Sequence, residues 1–421
     1  MKTEHLIGAY KTVRQQTERL CQPLATEDYV IQSIEDVSPP KWHLAHCSWF
    51  FETFILSHYL KSYKPFHPSF HHLFNSYYQG IGNPYPRAKR GLLSRPTVEE
   101  IYAYRKYIDK HMQDLLSEIA EAQFDAINTL LTLGLHHEQQ HQELLLMDVK
   151  HNFSYDPNFP LYQAAVQDAT SAVSSKLTFM DVEGGLVEIG HRGMDFCFDN
   201  ELPNHKKFLI PYAIASRLTT NEEYLEFIEA GGYKEPCWWL ADGWDCVLKN
   251  NWQAPLYWHN QNNEWHVFSL HGLTPLSPAE PVSHISFYEA DAYARWRGAR
   301  LASEEEWEHF VVTSGIAPRN DNFMENGLYH PQPASTQHSL QAQQFFGDLW
   351  EWTASPYTPY PGFRPLKGAL GEYNGKFMTN QMVLRGGSCA TPKSHIRASY
   401  RNFFQPEKRW QFSGIRLART N

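Results

Sequence analysis

Cysteine is scarce in this chain. Six occur in 421 residues, at Cys21, Cys47, Cys197, Cys237, Cys246 and Cys389, with no C-x-x-C pair. So few cysteines in so long a chain read as a reduced, cytoplasmic protein. No stretch is long and apolar enough to span a bilayer. The amphipathic N-terminus lacks the continuous apolar core of a signal peptide. There is no long basic run and the net charge is −9, which argues against a nucleic-acid partner. No internal repeat, no low-complexity tract and no sign of an obligate protein partner is evident. What remains is an ordinary soluble balance, 20% charged and 42% hydrophobic, long enough for two or three domains with ample core. The unusual figures are 22 histidines and 14% aromatic residues. They suggest a loop-rich part with aromatic packing, a ligand site, or both.

The histidines concentrate in Leu135-His136-His137-Glu138-Gln139-Gln140-His141-Gln142-Glu143-Leu144, at the end of an apolar helical run. His137 and His141 lie one turn apart on one helix face, the spacing at which two imidazoles share a metal. Leu130, Leu133 and Leu144 continue the stripe, so both would face the core. Burying two imidazoles without partners is costly, and a metal removes the cost. A pair of hydrogen-bonded core histidines is the plainer alternative.

Four helices are expected before residue 155. The first spans 3–21. The second begins near Ser38-Pro39-Pro40, with Ser38 as its cap, and carries the stripe Trp42, His46, Trp49, Thr53, Leu56 and Leu60. Thr53 is the weak point of that stripe, since its hydroxyl needs a partner such as a carbonyl one turn back. Thr97-Val-Glu-Glu100 is a capping box that opens the third, and the fourth covers about 124–150. Metal sites in helical bundles are built from facing helices, so His46 is the expected third ligand, with His43 as the fallback. Residues 62–96 form a long aromatic connection holding Asn75-Ser76-Tyr77-Tyr78 and the arginines Arg87 and Arg90. Paired tyrosines can donate protons, and paired arginines can hold a carboxylate. The plainer reading is a solvated basic loop with packing aromatics. Residues 156–176 read as linker. Beyond them the texture changes to short extended runs rich in Gly and Pro, with helices at about 219–230, opened by Thr219 or Thr220, and at about 286–297, followed by a short acidic run from Glu304.

A series of signposts follows: Phe179-Met-Asp-Val-Glu-Gly-Gly, Gly298-Ala-Arg-Leu-Ala-Ser-Glu-Glu-Glu-Trp307, Gly347-Asp-Leu-Trp-Glu-Trp352, Leu384-Arg-Gly-Gly-Ser388 and Phe412-Ser-Gly-Ile-Arg-Leu417. Region 177–421 thereby resembles the formylglycine-generating-enzyme-type domain, a C-type-lectin-like α+β fold. The oxidase members of that family bind copper through a cysteine pair after the Arg-Gly-Gly-Ser element. Here Cys389 stands alone, so the resemblance implies a domain that shapes a pocket and lacks copper chemistry. Region 1–155 is similar to DinB-like four-helix metal-binding bundles.

Together the two halves resemble the ergothioneine-pathway sulfoxide synthases, the hercynine oxygenases. Leu44-Ala45-His46 and His137-Glu-Gln-Gln-His141-Gln-Glu143 match that family's iron-binding elements. The resemblance implies Fe(II) held by His46, His137 and His141. It implies hercynine, cysteine or γ-glutamylcysteine, and O2 as substrates, with Tyr77 or Tyr78 as proton donor. Arg87 and Arg90 would take the thiol's carboxylate. Gln140, Asn402, Phe403 and Phe404 would line the hercynine side, where aromatic faces suit a quaternary ammonium. Trp350 and Trp352 are expected in the core. Selenoneine and ovothiol synthases share the scaffold; the latter often append a methyltransferase, which this sequence does not include. A different class is also open, since His137-Glu-Gln-Gln-His141 fits the HExxH pattern of zinc hydrolases, with Glu138 as general base.

Overall fold

A computed structural model describes residues 2–164, 175–319, 321–336, 342–372 and 374–420. By contacts the chain divides into two compact units, Met1–Tyr162 with Lys367–Tyr373, and Gln163–Leu366 with Asn374–Asn421. The expected linker, 156–176, lies outside the described residues over 165–174. At its near end Tyr162 is buried, and its hydroxyl donates to the Leu20 carbonyl at 2.7 Å.

The helical unit is built from α1 (Lys2–Cys21), α2 (Pro40–Phe51), α3 (Ser57–Tyr59), α4 (Phe70–Leu73), α5 (Val98–Ser117) and α6 (Phe124–Phe153). A π-helical turn, Glu52–Leu56, joins α2 to α3. Four of these, α1, α2, α5 and α6, form the bundle. Thr97 caps α5 as its sequence implies, accepting from the Glu100 N–H at 3.2 Å while the Glu100 carboxylate accepts from Thr97 N–H at 2.6 Å. Ser38 does not cap α2. Pro39 occupies the cap, and the Ser38 hydroxyl instead accepts from Arg90 at 2.9 Å. Thr53 falls in the π turn, where its buried hydroxyl has no partner. Every residue of α2 is buried, so this helix has no solvent face.

The second unit has α7 (Asn221–Glu229), α8 (Ala241–Asn250), α9 (Phe287–Trp296) and α10 (Glu304–Thr313). Thr220, Ser286 and Ser303 each close a capping box, at α7, α9 and α10. The sequence reading passes over α8. The strands, in chain order, are β1 (Phe179–Val182), β2 (Gly185–Ile189), β3 (His205–Leu209), β4 (Tyr212–Ala215), β5 (Trp258–Gln261), β6 (Glu264–Ser269), β7 (Gly272–Pro275), β8 (Arg300–Leu301), β9 (Trp350–Pro356), β10 (Met382–Arg385), β11 (Asn402–Phe404), β12 (Ser413–Gly414) and β13 (Leu417–Thr420). They make two four-stranded sheets, ordered β1-β4-β13-β8 and β11-β10-β9-β12, with a β2-β3 hairpin and a β5-β6-β7 meander. Trp350 and Trp352 are core residues. No described helix is long and apolar enough to cross a membrane.

Gly134 shows how closely α2 and α6 approach. A Cβ there would lie 2.6 Å from Phe51 Cε1 and 2.9 Å from Phe50 Cε1. In an open helix Gly to Ala is worth about 1 kcal/mol of stabilisation. Here the sign reverses, because the rings must shift: Gly134→Ala lowers the thermal midpoint of the helical unit, by about 1–3 kcal/mol of overpacking. Circular dichroism melts compare the two proteins directly.

Candidate metal centre

His46 comes from α2, and His137 and His141 from successive turns of α6. Their candidate ligand nitrogens all lie within 4.8 Å of one another, and all three residues are buried. Among the described residues this is the one group of three or more His, Cys, Asp or Glu so arranged. His46 Nε2 and His137 Nε2 are 3.2 Å apart. Two imidazole nitrogens bound at right angles to one ion, each at about 2.1 Å, would be about 3 Å apart. Burial first, and then the neighbouring His137, pushes His46 and His141 well below the usual histidine range. Burial takes His137 down to about 3. The rings are therefore neutral at physiological pH, the form that ligates. An all-imidazole set of this kind fits a divalent transition metal.

Each ring is held by its surroundings. His46 Nδ1 donates to the Phe74 carbonyl at 2.6 Å, which leaves the Nε2 lone pair facing the other imidazoles. Its ring is stacked between Trp42 at 4.5 Å and Trp49 at 5.5 Å, one on each side. Those indoles donate to the carbonyls of Leu73 at 3.2 Å and His71 at 3.1 Å. Three ring N–H groups on one helix face thus grip α4 and the residue after it. Phe50 stacks on His137 at 4.6 Å. His43, the fallback ligand, stands behind His141, with Nδ1 atoms 2.9 Å apart and its own Nε2 3.0 Å from Asp148.

Glu138 faces away from this cluster. Its carboxylate accepts from Arg14 at 2.9 Å, Arg105 at 3.1 Å and Thr17 Oγ1 at 2.7 Å. Burial acts to raise this carboxyl, but the two guanidiniums outweigh it and hold the pKa at about 2. A general base for hydrolysis would need to face the ion, so the HExxH reading loses its catalytic residue.

The other expected residues separate by environment. Arg90 is buried and lies flat on Trp42, 3.3 Å from the ring centre. It donates to Ser38 Oγ at 2.9 Å and Ser76 Oγ at 3.0 Å, its Nε has no partner, and no described carboxylate pairs with it. Arg87 is exposed and donates to the Asp36 carbonyl. Tyr78 is buried against Trp49 at 5.6 Å and Phe54 at 5.3 Å. Burial, with Tyr77 and Glu372 nearby, keeps its phenol protonated far above the usual range. Tyr77 is half-buried beside it, and Gln140 is half-buried on α6. Glu372 accepts from the N–H groups of Gln79 at 2.9 Å and Gly80 at 2.8 Å, just past the tyrosines. In the second unit, Asn402, Phe403 and Phe404 form β11; Phe403 stacks on Tyr357 at 4.1 Å. Cys389 is buried and forms no disulfide.

Comparison with known proteins agrees with this division. The sulfatase-modifying factor enzyme 1-like domain matches residues 165–421, and the DinB superfamily matches 9–145. The hercynine oxygenase of Mycolicibacterium smegmatis is 32% identical over 68% of this chain and 70% of its own length. The chain belongs to the hercynine oxygenase family. Two further hercynine oxygenases, from Mycobacterium tuberculosis and Mycolicibacterium thermoresistibile, are 29% and 28% identical, over 91% and 79% of this chain and 91% and 78% of their own lengths. The residue that sequence reasoning missed in this member of the family is Asp148. It lies two turns beyond His141 on the same face of α6, so the stripe that found the histidines extends to it.

Glu138→Gln leaves two buried guanidiniums without their carboxylate, at a cost on the order of 3 kcal/mol near neutral pH. The carboxyl is depressed on folding, from the ordinary 4.5 to about 2. Its contribution is therefore complete above about pH 4.5 and lost as pH falls through about 2. Unfolding curves of wild type and variant should separate widely at pH 7 and converge towards pH 2.

Proposed function

We propose that the chain is a non-heme Fe(II), O2-dependent sulfoxide synthase of ergothioneine biosynthesis. It would join the sulfur of cysteine or γ-glutamylcysteine to C2 of hercynine. The observation that carries this reading is the convergence of three buried neutral imidazoles, one indole away from a buried guanidinium with no carboxylate partner. A metal centre and an anion site lie side by side in a chain of the hercynine oxygenase family.

The stoichiometry closes without a reductant. The thiol S–H and the imidazole C2–H give two protons. Forming the C–S bond and oxidising sulfur release four electrons, so one O2 yields the sulfoxide oxygen and one water. Iron bound by His46, His137 and His141 supplies the redox chemistry for this, which zinc lacks. Arg90, stacked and desolvated, holds the thiol substrate's carboxylate, with Arg87 at the exposed end of the same 3-10 turn. Tyr77 and Tyr78 are the proton donors on offer, and Tyr78 keeps its proton at any working pH. Gln140 sits between the two ligands of α6 and hydrogen-bonds hercynine. Aromatic faces such as those of Phe403 and Phe404, with Asn402 beside them on β11, have the chemistry that suits a trimethylammonium group. Six free cysteines suit a reduced, cytoplasmic setting.

The test loads the protein anaerobically with Fe(II), adds hercynine with cysteine, γ-glutamylcysteine or a selenosugar, admits O2 and reads the product mass. A hercynine-thiol sulfoxide is expected; no product with any donor would sink the assignment. Arg90→Ala removes a charge-assisted contact worth about 1.5–3 kcal/mol. The thiol KM should rise roughly 10- to 100-fold, while the hercynine KM stays put.

A further inference from the structure

We infer that Asp148 and His43 form a proton-fixing relay that decides which nitrogen of His141 faces the metal. The inference rests on the metal-centre reading above and adds two positioning residues to it. Asp148 Oδ2 accepts the Ser38 N–H at 2.7 Å and lies 3.0 Å from His43 Nε2. A carboxylate can only accept, so His43 carries its proton on Nε2. A neutral imidazole has one donor and one acceptor, so His43 Nδ1 is the acceptor. His141 Nδ1 lies 2.9 Å from it and is therefore the donor. His141 is left with a bare Nε2, on the side of the ring turned from His43. The ring centres of His46 and His137 lie 4.7 Å from that of His141.

All three members are buried, so water does not compete for these bonds. His46 achieves the same result more simply, with the Phe74 carbonyl as its acceptor. His141 has an acceptor with a negative charge behind it. Acceptors of this kind orient a metal-bound histidine and raise its basicity. His43 thus supports a ligand without being one.

The sharpest probe removes the acceptor that fixes the proton. One atom, Oδ2, takes the Ser38 N–H and faces His43 Nε2, so an asparagine with its amide oxygen at that point keeps both bonds and moves no proton. Asp148→Leu, of similar size, leaves nothing to hold the His43 proton on Nε2. His43 can then carry it on Nδ1 and donate to His141, which presents Nε2–H towards the ion. Folding is checked by the melting curve. Two readouts apply to the full chain. In the metal-free protein, 15N–1H NMR of His141 should show the proton on Nδ1 in wild type and in Asp148→Asn, and on Nε2 in a share of Asp148→Leu molecules. Anaerobic titration with Fe(II), and with Co(II) as a spectroscopic stand-in, should show about 10- to 100-fold weaker binding in Asp148→Leu. The double variant His43→Gln with Asp148→Leu offers His141 the glutamine carbonyl as acceptor and should regain affinity. An Asp148→Leu protein that binds as wild type does, or whose His141 proton stays wholly on Nδ1, overturns the relay. So does a double variant that binds no better than Asp148→Leu. Wild-type protein that binds neither metal would bring down the metal centre itself, a result separate from these.

Discussion

One buried carboxylate sets the rotation of the helix on which the site depends. Glu138 takes Arg14 and Thr17 from α1 and Arg105 from α5. The same guanidiniums reach α2, Arg14 through Ser48 Oγ at 2.9 Å and Arg105 through the Leu44 carbonyl at 3.1 Å. All four bundle helices thus meet at one group. A buried ion pair adds little net stability once desolvation is counted, but it is unforgiving about geometry. Successive residues of an α-helix are about 100° apart around its axis. Fixing Glu138 towards α1 and α5 therefore turns His137 and His141 towards α2. The carboxylate adjacent to a candidate ligand acts on the metal site through the backbone, with no contact to the ion.

The opposite face is set by aromatic packing. Trp42, His46 and Trp49 stack in sequence along α2, and their N–H groups take three carbonyls between His71 and Phe74. That grip holds the start of the loop that goes on to Asn75, Tyr77 and Tyr78. Asn75 continues the work, its side chain bonding Tyr78 O at 3.1 Å and Gly82 O at 2.9 Å. A long connection that would otherwise be mobile is fixed at the point where it supplies a phenol and Arg90. Trp42 serves both ends, packing His46 on one face and carrying the Arg90 guanidinium on the other.

The helices and the capping box of α5 were legible because they depend on local spacing: Thr97 with Glu100, His137 with His141. His46 was legible because a stripe of large apolar residues placed it inward and a bundle needs facing helices. What local spacing could not supply was the direction of polar side chains. Glu138 sits on the motif and turns away. Ser38 looks like a cap and serves Arg90. Arg87 and Arg90 read as a pair and separate into an exposed and a buried cation. Each of these outcomes is decided by partners between about fifty and a hundred and twenty residues away in sequence. The short helix α8 was missed because a Gly and two Asp break up its ten residues.

The motifs that carry the family likeness of the second unit turn out to be its buried ion pairs. Glu304 of the Ser303-Glu-Glu-Glu-Trp307 element pairs with Arg385 of Arg-Gly-Gly-Ser and with Arg401. Glu351, between Trp350 and Trp352, accepts from Arg416 of the Gly-Ile-Arg-Leu element and from Trp307 Nε1 at 2.8 Å. Gly386 has φ of +98°, and a Cβ there would lie 2.5 Å from the Phe345 carbonyl, so only glycine fits that turn. Residues of this kind specify a framework and say nothing about chemistry. A domain can therefore keep these signatures whatever chemistry it carries. The fold is legible from the second half of the chain and the chemistry from the first, because a buried Arg–Glu pair fixes a shape and a histidine triplet selects an ion.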